Sequence, residues 1–332
     1  MSSVTKYSLS EAKHHLKKDY SLICFASFED RCLTIPKAVQ KCKIHDVIVL
    51  LNVGESAIVK NKENADCIKS LYENASIIEI DMDDSLYTAE ILRNVVKDIS
   101  RNGTNHLLVD ISTFTHETLL ILLRIISECK HIKTTTFLYN GAVEYSTGDS
   151  KEQVWLSKGC KDVRNVIGFP GLIRPSCKTH VVVLSGFEIE RLTGLVEMLE
   201  PDKLSIGEGE DPTHGNHEEH MNYFIRKIDN WKKMFSSDSV NMFKFSCSDI
   251  EKTIEQLNRI VEDNKDNNII IIPLNTKLST LATGVVALNN NRIQICYSIP
   301  EMYNTDKYSK PSNNITIVDL DVFSGSHSDI ET

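Results

Sequence analysis

The 332-residue chain holds nine cysteines but no C-x-x-C pair. An odd number of scattered thiols reads as reduced side chains packed in cores, not as a disulfide framework. Long apolar runs are missing as well: stretches such as Thr118 to Leu123 stop far short of the ~20 residues that a membrane span needs. There is no excess of positive charge. A net charge of −9 argues against broad binding to long nucleic acid or to anionic membrane. The first twenty residues are polar and basic, with Lys13, His14, His15, Lys17 and Lys18, so no secretory leader is expected and the compartment is read as cytoplasmic. The patterns G-x-x-x-x-G-K-[ST], G-x-G-x-x-G and G-x-S-x-G are all absent. Their absence disfavours a P-loop ATPase, a standard dehydrogenase and an α/β-hydrolase.

What is present is an ordinary globular composition, 41% hydrophobic and 25% charged, with one stretch that organises the rest. Ile269 to Ile272 are four consecutive isoleucines running into Pro273-Leu-Asn-Thr-Lys277, the pattern of a strand buried on both faces. Leu278, Leu281, Val285 and Leu288 follow at helical spacing, and Asn289-Asn-Asn291 stops them. The same design occurs earlier, where His106-Leu-Leu-Val-Asp110 leads through Ile-Ser-Thr-Phe-Thr to an apolar helix.

Strands and helices alternate on both sides of these stretches. In the first half, strands are predicted at Leu22–Ala26, Asp46–Leu51, Ser76–Asp81, His106–Asp110 and Thr134–Tyr139. In the second half they fall at Val181–Leu184, Lys203–Ile206, Asn241–Phe245, Ile269–Ile272 and Arg292–Tyr297, with a turn at Gly207 to Pro212. Ser27 to Asp110 is 83 positions and Gly186 to Pro273 is 87. Matched order and spacing predict an internal duplication: two tandem Rossmann-like units, each a mostly parallel, doubly wound α/β sheet. The boundaries read as 1–145, a linker at 146–178, and 179–332.

Ligands of such sheets sit at the carboxyl ends of the strands. Asp110, Ser112, Thr113 and Thr115 gather polar atoms at a predicted helix start, where a phosphate or sugar can be held or where the helix is merely capped. Asn275, Thr276 and Lys277 occupy the matching place, with Lys277 as a phosphate-binding point charge or an ordinary solvated lysine. Glu29 with Arg31, and Glu188 with Arg191, follow the first strand of each half. They either contact a ligand or lock their own helices to the next loop. Tyr297 and Tyr303 are placed to cover a base or to be simply half buried. His214, His217 and His220 suggest a metal, but His217-Glu-Glu-His220 spaces the pair at i+3, where metallohydrolases need i+4. No metal and no cofactor are expected.

The strand ending in Asp110-x-Ser112, the following turn and the tandem halves resemble the CRISPR-associated Rossmann-fold sensor domains. They also resemble the two-unit SAVED sensors. Asp110, Ser112 and Thr115 fit the sensor motif. Thr113-Phe114 replaces its glycines, His116 its basic residue, and in the second half only Thr276-Lys277 remains. The resemblance implies a sensor that binds a nucleotide or oligonucleotide second messenger in anti-phage defence or signalling and acts with a separate effector protein. Two alternatives stay open: a metal-independent phosphodiesterase or nucleoside-processing enzyme on the same scaffold, and a non-binding scaffold for a protein partner.

Overall fold

The computed structural model of the protein describes residues 3–55, 58–145, 156–186, 189–211, 225, 228–229, 240–305 and 308–320. The chain begins with β1 (Ser3–Ser8), α1 (Leu9–His15), β2 (Tyr20–Ala26), α2 (Thr34–Val39), β3 (Ile44–Asn52) and α3 (Val59–Ser70). It continues through β4 (Ala75–Ile80), α4 (Ser85–Arg101), β5 (His106–Asp110), α5 (His116–Glu128) and β6 (Thr134–Tyr139). Three shorter pieces follow: β7 (Ala142–Tyr145), β8 (Ser157–Lys158) and β9 (Asp162–Pro170). The second half holds β10 (Thr179–Leu184), α6 (Ile189–Leu199), β11 (Lys203–Glu210), β12 (Val240–Ser246), α7 (Ile250–Asp263), β13 (Asn268–Pro273), α8 (Lys277–Leu288) and β14 (Ile293–Ile299). It closes with β15 (Met302–Tyr303), β16 (Ser309–Pro311) and β17 (Asn314–Leu320).

Two sheets carry the fold. The first has the order β1-β17-β6-β5-β2-β3-β4 and the second β12-β11-β10-β13-β14-β9. Matching β2 through β6 with β10 through β14 gives the same strand order in both, with every pairing inside those sets parallel. The duplication is therefore real in topology: Asp110 pairs with Cys24 at the end of β5, and Pro273 pairs with Leu184 at the end of β13. In each half the strand order reverses between the first and fourth strands, β2/β5 and β10/β13, which is where such sheets open a crevice.

Alternation along each strand feeds two cores. Ile23 and Phe25 face α4 and α5, while Leu22 and Cys24 face α1, α2 and α3. The four isoleucines divide likewise: Ile269 and Ile271 join the core under α7 and α8, and Ile270 and Ile272 the one under α6. Each fully buried isoleucine contributes about 1.5–3 kcal/mol, so this strand is held from both sides.

Three expectations need correction. Residues 146–178 are not wholly a linker, because β9 is the antiparallel edge strand of the second sheet, beside β14. Residues 314–320 do not belong to the second half, because β17 inserts antiparallel between β1 and β6 of the first sheet. Gly207 and Gly209 do not form a turn: β11 runs on to Glu210, paired with Ser246. A side chain at Gly207 would collide with the rings of Phe243 and Phe245, so glycine there makes room for aromatic packing.

The halves meet through their equivalent helices. His116 Nδ1 lies 2.6 Å from Thr280 Oγ1, and Gly284 abuts Leu120 and Leu123. First turn meets first turn and middle meets middle, so α5 and α8 run side by side in the same direction. Both sheets consequently present their carboxyl edges to the same side of the molecule. One continuous apolar core, from Ile23 and Leu107 through Leu120 and Leu281 to Ile271 and Ile295, joins the two halves.

Candidate functional site

In the first half, the crevice between β2 and β5 is filled by the protein's own side chains. Asp110 Oδ1 accepts from Ser112 N at 3.0 Å and from Ser112 Oγ at 2.6 Å. Ser112 Oγ accepts in turn from Asn140 N. Thr113 donates to Phe25 O at 2.8 Å across the crevice, and Phe114 packs its ring 5.4 Å from that of Phe25. Thr115 caps α5, accepting from Thr118 N. Asp110, Ser112 and Thr113 are buried; Asp110 Oδ1 and the Ser112 and Thr113 hydroxyls are bonded inward, while Asp110 Oδ2 has no hydrogen-bond partner among the described residues. Burial pushes the Asp110 carboxyl up to about 7, against the lowering effect of its Ser112 hydrogen bonds and of nearby Arg31.

The Glu/Arg motif is a lock. Arg31 is 3% exposed, pairs with Glu29 at 2.7 Å and donates to Asn140 O beyond the end of β6 at 3.0 Å. Ser309 of β16 donates to the same Glu29 carboxylate, which ties β16 and its partner β7 over the edge. Arg191 repeats the device: buried in α6, it donates to Ser298 O near the end of β14 and to Ser157 Oγ. Glu188 lies outside the described residues, as do His214, His217 and His220.

In the second half the edge is looser. Asn275 Nδ2 donates to Ser185 O, while its Oδ1 accepts from Thr276 N and from the Cys247 thiol. Thr276 is the cap of α8, accepting from Ser279 N at 3.2 Å and donating to Cys247 O at 3.1 Å. Asn275 and Thr276 thus fasten three loops together. Gly186, Asn275, Thr276 and Lys277 are all half-buried, unlike their counterparts in the first half. The capping bond to Ser279 N draws Thr276 in, and Lys277 is not a fully solvated lysine. A Cβ at Gly186 would come within 3.0 Å of Leu274 O, so the two switch-point loops approach closely there.

Lys277 is the first residue of α8 and His116 the first of α5. Burial first, and then the charges of Lys277 and Arg191, hold the His116 imidazole well below its usual range. At neutral pH this is a neutral histidine in a cationic surrounding. Two helix N-termini, with their outward N–H groups, lie here beside Lys277 and Arg191.

Two further groups lie at these sheet edges, and of their residues only Tyr297 and Tyr303 were singled out from sequence. Glu117 of α5, 4% exposed, forms a fork with Arg164 of β9: Nε to Oε1 at 2.8 Å and Nη2 to Oε2 at 2.6 Å. Arg164 also donates to Met82 O and Asp83 O, so β9 is stapled to the β4–α4 loop. The signal for Arg164 was the strand pattern of Asp162–Pro170, which the nearby glycines and prolines obscured. The second group is aromatic. Phe28, after β2, has its ring 6.3 Å from Tyr303 and 5.4 Å from Tyr308. Tyr303 OH lies 3.2 Å from Tyr297 OH.

No protein-family model matches the chain, and no curated protein matches it in sequence. Among solved structures it is similar to NADPH-bound carbonyl reductase from chicken fatty liver, at 12% identity and a TM-score of 0.25, over 35% of this chain and 51% of the reductase. The chain thus spans about half the length of that protein. It is also similar to the leucoanthocyanidin reductase–NADPH complex from Vitis vinifera (9% identity, TM-score 0.28, 71% of this chain and 81% of that one). A third is UDP-GlcNAc 2-epimerase from Neisseria meningitidis bound to UDP-GlcNAc (11%, TM-score 0.25, 76% and 77%).

The geometry of the site corrects the second-messenger sensor. The residues that carried the resemblance, Asp110 and Ser112, are 1% and 0% exposed and bonded to each other. The two halves also do not offer equivalent phosphate contacts, since His116 is neutral where Lys277 is charged.

Proposed function

We propose that this chain binds a nucleotide at the carboxyl edge of its second sheet, with the phosphate at the adjoining N-termini of α5 and α8. The observation that supports this is the parallel packing of those helices, which sets Lys277 and two first helical turns at one place. Backbone N–H groups and helix dipoles there favour an anion. Lys277 supplies the point charge, and its backbone is held by Thr276 and by a strand buried on both faces. His116 faces the same place as a neutral imidazole. The nine cysteines, buried or half-buried as thiols, fit a reducing, cytoplasmic compartment.

Titration calorimetry with ATP, NADPH and UDP-N-acetylglucosamine tests the reading. A charge-assisted contact to phosphate is worth about 1.5–3 kcal/mol, so Lys277→Ala weakens the affinity for whichever probe binds by roughly 10- to 150-fold. Unchanged affinity in a folded Lys277→Ala protein, or no binding by the wild type of any phosphate-bearing probe, refutes the assignment.

A further inference from the structure

We infer that Phe28, Tyr303 and Tyr308 form a stacking platform for the nucleobase, built jointly by the two halves of the chain. This rests on the nucleotide reading above and adds where the non-phosphate end of the ligand sits.

Phe28 belongs to the loop after β2, at the carboxyl edge of the first sheet. Tyr303 is in β15, beyond the last parallel strand of the second sheet, and Tyr308 immediately precedes β16. All three are half-buried, so their rings are not spent in either core. The Phe28 and Tyr308 rings meet nearly at right angles, 85°, and those of Phe28 and Tyr303 at 51°. At these angles the Phe28 ring is stacked flat on neither tyrosine.

The platform also connects to the proposed phosphate end. Tyr303 OH meets Tyr297 OH at 3.2 Å, and Tyr303 pairs with Ser157, whose Oγ accepts from Arg191. Arg191 and Lys277 in turn both act on His116. A chain of neighbouring groups thus leads from the aromatic rings to the N-termini of α5 and α8.

The scaffold under the rings is rigid. Arg31 and Glu29 lock the loop that carries Phe28, and Ser309, next to Tyr308, is bonded to that Glu29. β15 pairs with β8 through Tyr303 and Ser157. Preorganised aromatics at a sheet's carboxyl edge suit a flat ligand group, and every nucleobase offers a π face. The chemical class is therefore a nucleobase of unspecified identity, attached to the phosphate that Lys277 contacts.

The test compares ATP and UTP with tripolyphosphate, which has the anion but no base, and with adenosine, which has the base but no anion. The full chain is used, with circular dichroism as the folding control. Phe28→Leu keeps apolar bulk and removes the π face; Tyr308→Leu does the same at the neighbouring ring. Each is expected to weaken ATP and UTP by about 5- to 100-fold, with tripolyphosphate affinity changed less than about twofold. If ATP and tripolyphosphate weaken together, or if ATP affinity is unchanged in both folded variants, the platform is refuted. Equal wild-type affinity for ATP and tripolyphosphate refutes the platform and leaves the phosphate reading standing. Binding of adenosine without tripolyphosphate supports the platform and removes the phosphate reading. Failure of the wild type to bind any of the four probes removes both.

Discussion

Replacing Asp110 by asparagine is expected to stabilise the protein at neutral and alkaline pH and to leave it nearly unchanged at acid pH. The carboxyl is 1% exposed. Its Oδ1 is satisfied by Ser112, but Oδ2 has no hydrogen-bond partner among the described residues. Burial therefore favours the protonated acid and raises the group from 3.8 to about 7. A folded value above the unfolded one means that the contribution to stability is fully present below about pH 4 and is lost as pH rises through about 7. A shift of about three units, at about 1.4 kcal/mol each, corresponds to about 4 kcal/mol lost by pH 8. In Asp110→Asn the amide oxygen still accepts from Ser112, and the NH2 group stands where the acid's O–H stood. The two proteins should match within about 1 kcal/mol at pH 4 and separate steadily up to pH 7, the variant then being more stable by up to about 4 kcal/mol. Urea unfolding from pH 4 to 9 measures this directly. Other carboxylates add their own slopes, but these cancel in the difference between the two proteins. Parallel stability curves over that range would refute the reasoning, because they would mean that the folded and unfolded carboxyl titrate alike.

Two other consequences concern the join between the halves. Arg164→Met leaves Glu117 buried without its fork partner and should cost about 3 kcal/mol, the low end for a broken buried pair because Arg164 is itself 22% exposed; Glu117→Gln combined with it should recover much of the loss, read by thermal unfolding. Gly284→Val drives a branched side chain into Leu120 and Leu123, so it should cost about 1–3 kcal/mol, whereas the same change at exposed Gly103, where no atom lies within 4 Å, should act only through its positive φ.

Much of the fold was legible because it rests on local periodicity. The isoleucine run at 269–272 predicted a strand covered on both sides, and β13 is buried along its whole length between β10 and β14. The repeated order of strands and the near-equal intervals exposed the duplication, because a βα unit needs a fixed length of chain to go out and back. Proline and glycine misled at two places. Gly168 and Pro170 looked like linker residues but end an edge strand, and Gly207 looked like a turn but lies under Phe243 and Phe245. Turn chemistry is local, whereas the need for space beside a neighbouring ring is not.

The candidate site was legible as a location and not as a set of roles. Sequence alone determined that polar residues follow β5 and β13, that Lys277 opens a helix, and that Glu29-x-Arg31 and Arg191 recur at matching positions. Only the tertiary structure decided that Arg31 and Arg191 reach across to the backbone after β6 and near the end of β14. It likewise decided that Thr113 bridges to Phe25, and that β17 returns to the first sheet. The physical reason is that a polar side chain at a strand end has the same local sequence whether it meets a ligand or another loop. Which partner it finds depends on chain more than 100 residues away, as with Arg31 and Asn140 or His116 and Thr280. Periodicity is written in neighbouring residues; the partners of a buried hydrogen bond are chosen when the layers close.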